Sequence, residues 1–161
     1  MRFKSRYFLC EVVLEDPRWR HNLSNAMIIH NVREAVARMH GDFGAAACSA
    51  TLTVKYLNAY TGIILFRCRK DFHKLLWTSL PFITSLDNWG QKCPCFINTL
   101  HVAGTIRTCQ KFLIQYNKKQ LLRLLENCTN NEEKEAIQKS VSSCFLHTVE
   151  ESEFALDEED M

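Results

Sequence analysis

Between Gly90 and Gln120 the sequence has neither Asp nor Glu over 29 residues, yet it carries Lys92, Arg107, Lys111, Lys118 and Lys119. A second stretch, Phe43 to Lys70, also lacks carboxylates and holds Lys55, Arg67, Arg69 and Lys70. Cations without internal counterions cannot form a self-neutralising ion-pair face, so they point to an anionic partner. Carboxylates are scarce throughout the body. Only Glu11, Glu15, Asp16, Glu34, Asp42, Asp71 and Asp87 precede Gln120, too few and too scattered for a nuclease that gathers carboxylates around metal ions. Long apolar runs are also missing. The longest lies around Ile63 to Phe66, and Glu11 interrupts the amino-terminal apolar segment, so neither a secretory signal nor a membrane span is expected.

The net charge of +2 conceals an asymmetry. Residues 1–119 hold 17 Lys and Arg against 7 Asp and Glu, whereas residues 120–161 hold 3 against 11. The last twelve residues, E-E-S-E-F-A-L-D-E-E-D-M, contain seven carboxylates and little to bury. They are expected to remain a solvated, disordered tail. The organisation expected is therefore one domain over 1–128, a short appended helix over 129–145 and an acidic tail over 146–161. About 150 residues suffice for a full core without staples.

Eight cysteines (Cys10, Cys48, Cys68, Cys93, Cys95, Cys109, Cys128 and Cys144) are expected as free thiols in a reducing compartment. Cys93-Pro94-Cys95 is the only close pair, one residue apart where zinc knuckles use two to four. His101 is the candidate third ligand, but a predicted strand separates it from the pair. Small buried or loop thiols are the favoured reading, and no metal site is assigned.

Periodicity gives an order of elements. Phe3 to Leu14 reads as a strand ended by Asp16-Pro17. Leu23 to His40 reads as a helix, with Ile28, Val32, Ala35, Val36 and Met39 at helical spacing and Gly41 as its cap. Thr51 to Leu57 and Gly62 to Arg69 form a predicted hairpin around Asn58-Ala59-Tyr60-Thr61. Asp71 is expected to cap a second helix running to Pro81. A loop over 87–94, a fourth strand from Phe96 to Val102 and a long helix from Thr105 to about Asn127 complete the body. Glu132 to Ser143 is expected as the small extra helix. The fold class is thus α+β: a ferredoxin-like or RRM-like split β-α-β-β-α-β sheet of four antiparallel strands, with an added long helix.

Strand alternation places Arg2, Lys4 and Arg6 on one side of the first strand, opposite Phe3 and Tyr7. Arg67 and Arg69 share one side of the third strand, opposite Ile64, Phe66 and Cys68. These five cations are expected to merge into one field. At the fourth strand, Gly104 precedes a helix opened by Thr105, with Arg107, Thr108 and Lys111 at its start, an arrangement suited to an anion. Arg107, Lys111 and Lys118 lie four and seven residues apart, on a different helix face from Ile106, Cys109, Leu113 and Tyr116. The candidate nucleic-acid-contacting set, on RNA or DNA, is Arg2, Lys4, Arg6, Lys55, Arg67, Arg69, Lys70, Thr105, Arg107, Thr108, Lys111 and Lys118. The bland alternative is a solvated face whose basic stems lie over apolar neighbours. No base-reading signature is present; in particular, the aromatic motif of RNA recognition motifs is absent. For catalysis by the chain itself, His101 near Lys111 is the best acid-base candidate, and a structural histidine is the simpler reading.

Three segments carry a family resemblance: V-A-R-M-H-G-D-F-G-A-A-A from Val36, L-N-A-Y-T-G-I-I-L-F-R-C-R-K from Leu57, and N-T-L-H-V-A-G-T-I-R-T-C-Q-K-F-L-I-Q-Y-N from Asn98. They resemble the family of the small protein subunit shared by nuclear ribonuclease P and ribonuclease MRP, fifth of the processing-of-precursor-RNA series, over residues 2 to about 128. The resemblance implies a noncatalytic protein that braces a catalytic RNA. In such a particle the RNA and its magnesium ions remove the 5′ leader of precursor tRNA, and the MRP form cleaves precursor rRNA. It further implies partners: the ribonuclease P and MRP RNAs, a TIM-barrel protein subunit, and other proteins of the particles. Precursor tRNA is a further candidate. It implies a nuclear and nucleolar location, no membrane, and no cofactor on the protein. The alternative is a protein-interaction scaffold that makes no direct RNA contact.

Overall fold

The computed structural model describes residues 3–127, 131–136 and 138–139. Arg2, Cys128, Cys144 and the expected tail over 146–161 lie outside the described residues, as does part of the expected appended helix. Residues 131–136 and 138–139 are helical. Two compact units divide the chain between Thr105 and Ile106, so the expected 1–128 domain comprises the first unit and the long helix.

The first unit is a mixed α/β layer structure. Its elements are β1 (Ser5–Leu14), the 3-10 turn Pro17–Asn22, α1 (Asn25–Ser49), β2 (Thr53–Asn58), β3 (Ile63–Arg69), α2 (His73–Ser79), β4 (Ser85–Asn88) and β5 (Gln91–Ala103). All strand pairs are antiparallel, in the order β2-β3-β1-β5-β4. The sheet has five strands, not the expected four. The expected loop over 87–94 is instead the end of an edge strand, Ser85–Asn88, a two-residue turn and the start of β5, with which that strand pairs. Trp89 (φ 52°) and Gly90 (φ 96°) form the connecting turn, both in the left-handed region that two-residue hairpins require. The Asp87 carboxylate fixes that turn by accepting from the Gly90 N–H at 2.9 Å.

One sheet face packs against α1 and α2. Phe8, Cys10, Val12, Ile64, Phe66, Cys68, Cys95 and Ile97 supply the sheet side, and Met27, Ile28, Val32, Ala35, Val36, Leu76 and Leu80 the helix side. Phe8 and Phe66 are fully buried and paired across strands, the kind of residue whose truncation costs about 3–5 kcal/mol. Ser24 begins α1 by accepting the Met27 N–H on its hydroxyl at 3.3 Å. Gly41 does leave the helical region (φ 69°, ψ −164°), but helical turns resume beyond it and reach Ser49. Asp71 does not cap α2: Phe72 occupies that position without a side-chain hydrogen bond, and Asp71 pairs with Arg69 instead.

Asn31 joins the layers. Buried on α1, its amide donates to Met27 O at 2.8 Å and Asp87 O at 3.0 Å, and its oxygen accepts from Asp87 N at 3.0 Å. The edge strand β4 is thereby tied to α1. Gly62 (φ 74°) lets β3 start beside β1, because a Cβ there would stand 2.4 Å from Val12 O.

The second unit contains α3 (Ile106–Asn127). Phe112 and Tyr116, one turn apart, stack at 6.3 Å between ring centres.

Candidate nucleic-acid interface

Antiparallel pairing brings the start of β1 and the ends of β3 and β5 to one end of the sheet. Ser5 stands opposite Arg69, Arg6 opposite Cys68, and Tyr7 opposite both Arg67 and Ala103. The Lys70 N–H donates to Lys4 O at 2.8 Å and extends the pairing past the strands. Lys4, Arg6, Arg67, Arg69 and Lys70 therefore share this end with Gly104 and Thr105. Sequence alternation had already suggested the gathering, but not its geometry.

The register corrects the expectation of one field. Because residues paired across strands share a face, Arg67 and Arg69 lie with Ser5 and Tyr7, while Arg6 lies on the opposite face with Cys68. The cations thus ring the sheet end on both faces. Arg6 donates to Ser5 O at 3.2 Å, and its charge bears on Cys68. Burial pushes that thiol up to about 12, with Cys48 adding to the rise and Arg6 opposing it.

The cations are not equally available. Arg67 is half-buried and its Nε donates to Ser5 Oγ at 3.1 Å, which fixes the stem. Arg69 is more fully engaged: its guanidinium lies 3.6 Å from the centre of the Phe3 ring and 5.9 Å from that of Phe72. Its Nε is 3.2 Å from Asp71 Oδ2, a charge contact whose angle does not make an aligned hydrogen bond. Lys4 is exposed and Lys70 half-exposed; neither forms an ion pair with another described residue. Lys55 stands apart. It is the extra residue of a bulge between Val54 and Tyr56 on the edge strand β2, where an exposed lysine also discourages edge-to-edge pairing.

On α3, Arg107, Lys111 and Lys118 are exposed and fall within about 40° around the helix axis. They form no ion pair with another described residue. Thr108 is exposed a quarter-turn away, and Thr105 immediately precedes the helix. Each unit thus offers a basic surface of its own.

The metal reading meets a geometric obstacle. Cys93 and Cys95 are buried in β5, and Cys95 faces the helices as part of the core. A bulge opposite Leu9 and Cys10 puts Leu100 in excess, so His101 pairs with Leu9 on the other face. Cysteine pair and histidine are on opposite sides of the sheet and cannot share an ion. Burial holds Cys95 at about 11, with the neighbouring Cys93 adding to the rise. No group of three or more His, Cys, Asp or Glu is placed to hold a metal among the described residues. No helix among them is long and apolar enough to cross a membrane.

Exposed aromatics are what the sequence reading missed. Tyr60 and Trp89 stand at turns, and Phe43 and Trp77 on the helix layer, all largely in solvent. The W-G pair before β5 was the available signal, since glycine second in a two-residue turn marks a hairpin whose first position points outward.

The family model described as Rpp14/Pop5 family matches residues 6–114. The chain is 63% identical over 153 residues to "Ribonuclease P/MRP protein subunit POP5" of Homo sapiens, covering 94% of each. It is 65% identical over 147 residues to the protein of the same name from Bos taurus, covering 91% of this chain and 86% of that one. Among solved structures, a chain of "Cryo-EM structure of yeast Ribonuclease MRP" aligns with a TM-score of 0.48 at 13% identity, covering 74% of this chain and 95% of that chain. On the match of the model and these identities, the chain belongs to the Rpp14/Pop5 family.

Proposed function

We propose that this protein is a noncatalytic, RNA-binding subunit of ribonuclease P and ribonuclease MRP. Its basic surfaces brace the catalytic RNA for 5′ leader removal from precursor tRNA and for precursor rRNA processing. Family membership and the names of the curated relatives support the complex. The observation that carries the RNA role is the stripe of Arg107, Lys111 and Lys118, exposed on α3 without ion pairs to other described residues. Three like charges on one helix face repel each other, and a line of phosphates relieves that repulsion while releasing condensed counterions.

In this reading the magnesium ions belong to the RNA, which performs the cleavage. The protein contributes charge and shape. Lys4, Arg6, Arg67 and Lys70 at the sheet end, with Thr105, and Arg107, Thr108, Lys111 and Lys118 on α3 meet the RNA backbone. Arg69 contributes less because Asp71 holds it, and Lys55 takes a peripheral place. The protein partners include a TIM-barrel subunit and other proteins of the two particles, in the nucleus and nucleolus. Within such an assembly the helix layer, with Met39, Phe43 and Trp77 exposed, is the protein-facing candidate. Apolar surface of that kind suits a protein better than a phosphate chain.

The test is RNA binding by the full chain as a function of salt. Replacing Arg107 and Lys111 with Ala is expected to weaken binding to the particle RNA and to lower the log-log salt slope by about one per lost phosphate contact. An unchanged affinity and slope in the folded double variant would contradict the assignment. A scaffold without RNA contact predicts no salt-sensitive RNA binding by either protein.

A further inference from the structure

The end of the sheet remote from the basic one carries two surface aromatics on its hairpin turns, Tyr60 and Trp89. There β1 leaves at Leu14, β2 turns into β3 through 58–62, and β4 turns into β5 at Trp89 and Gly90. The 3-10 turn Pro17–Asn22 links the two hairpin tips. Its Arg20 places Cζ 5.6 Å from the centre of the Tyr60 ring, and its Asn22 accepts from Asn88 Nδ2 at 3.4 Å. Tyr60 is 84% exposed and Trp89 98% exposed. Neither ring contributes to the core, so nearly all of the indole and most of the phenol are open to a partner.

We propose that this end is a second contact for single-stranded RNA, in which unpaired bases stack on Trp89 and Tyr60. Both rings ride on turns that are already fixed. Asn58 Oδ1 accepts from the N–H groups of Tyr60 and Thr61 at 3.0 and 3.2 Å, and Asp87 Oδ1 accepts from Gly90 N. Little ordering remains to oppose binding at such platforms. Beside Trp89 opens a cavity of about 330 Å³, lined also by Ser24, Ala26, Met27, His30 and Asp87, within the size range of small-ligand clefts. It gives an extruded base an apolar floor at Met27 and polar groups at Asp87 and His30. Arg20 over Tyr60 supplies a cation next to the stacking plane, the pairing that nonspecific single-strand binders use. A flat ring beside a cation, as at Tyr60, and an open indole face at Trp89 fit unpaired bases.

This inference rests on the RNA-binding reading above, and its test separates the two. The probe is a ten-residue oligouridylate, titrated into the full-length chain while the Trp89 indole N–H is followed by NMR. Trp89→Asn removes the ring yet tolerates the left-handed turn; Trp89→Phe keeps a stacking surface; Tyr60→Ala removes the second platform. The proposal expects a shifted Trp89 signal and about a tenfold loss of affinity for each ring removed. It further expects partial recovery in Trp89→Phe and an unaltered salt slope throughout. If Trp89→Asn and Tyr60→Ala bind within twofold of the parent, while the Arg107 and Lys111 variant still loses salt slope, this inference falls and the RNA reading survives. If the parent binds no oligouridylate and no particle RNA, both fall. Unchanged oligouridylate affinity with weakened association of partner proteins in Trp89→Asn would identify the tip as a protein contact and overturn the proposal.

Discussion

Arg6 and Arg67 leave the same end of the sheet on opposite faces: Arg6 stands across from Cys68, and Arg67 across from Tyr7. A single flat ligand on one face meets only one of them. RNA that wraps the sheet end meets both. Arg6→Ala and Arg67→Ala should each lower the salt slope of particle-RNA binding by about one, and the double variant by about two. Both guanidiniums bond Ser5, Arg6 at its carbonyl and Arg67 at its hydroxyl, so the free-energy losses should depart from strict additivity by their coupling through that residue. Filter binding at four salt concentrations reads all three; a double variant no weaker than either single variant would confine the RNA to one face.

Arg69 differs from its neighbour by having Asp71 and Phe3 already in place. Arg69→Ala should cost about 1 kcal/mol of stability through the lost ring stacking and partly exposed ion pair, while changing RNA affinity less than Arg67→Ala. Asp71→Ala should act in the opposite sense on binding, because it frees a cation and removes a carboxylate from the site. Chemical denaturation and RNA titration of the same two variants check both statements.

Asn31 satisfies backbone groups on two elements with one side chain. Asn31→Leu fits the space but leaves the Asp87 N–H and carbonyl without those partners, a loss of about 2–4 kcal/mol. Hydrogen exchange should show faster opening of β4 specifically, since that strand is an edge. Uniform loss across the sheet would contradict this local role.

Cys68 and Cys95 provide a pH test. Burial raises the thiols from an ordinary 9.0 to about 12 and about 11, so the neutral form is favoured in the folded state. The unfolded chain releases these protons first as pH rises. The stability linked to them is therefore complete below pH 9 and is lost progressively above it, through about pH 11 for Cys95 and about pH 12 for Cys68. Thermal unfolding from pH 8 to 12 should show a falling midpoint, with a shallower fall in Cys68→Ala. At pH 8 both thiols of the native protein should resist alkylation.

Long periodic segments were the readable part of the fold. The apolar spacing of Ile28, Val32 and Val36 fixed α1, and the β-rich runs on either side of Asn58 fixed the first hairpin, because burial of one face enforces those periods. Short elements escaped. Ser85–Asn88 has only four residues and little apolar alternation, so its strand character comes from pairing with β5 rather than from local preference. Asp71 looked like a cap by residue type, yet its Arg69 partner precedes it by two positions and competes for the carboxylate. In the candidate site, composition located the basic segments, but strand parity alone could not say which faces of two strands coincide. That depends on register, and the pairing of Ser5 with Arg69 splits the supposed field between two faces. The bulge at Leu100 likewise reversed the side of His101 relative to Cys95.

Crosslinking of this protein within an assembled ribonuclease P or MRP particle, read by mass spectrometry, addresses the central claim most directly. The account predicts RNA adducts on peptides containing Lys4–Arg6, Arg67–Lys70 and Arg107–Lys118. Adducts of these peptides with other proteins alone, and none with RNA, would contradict it.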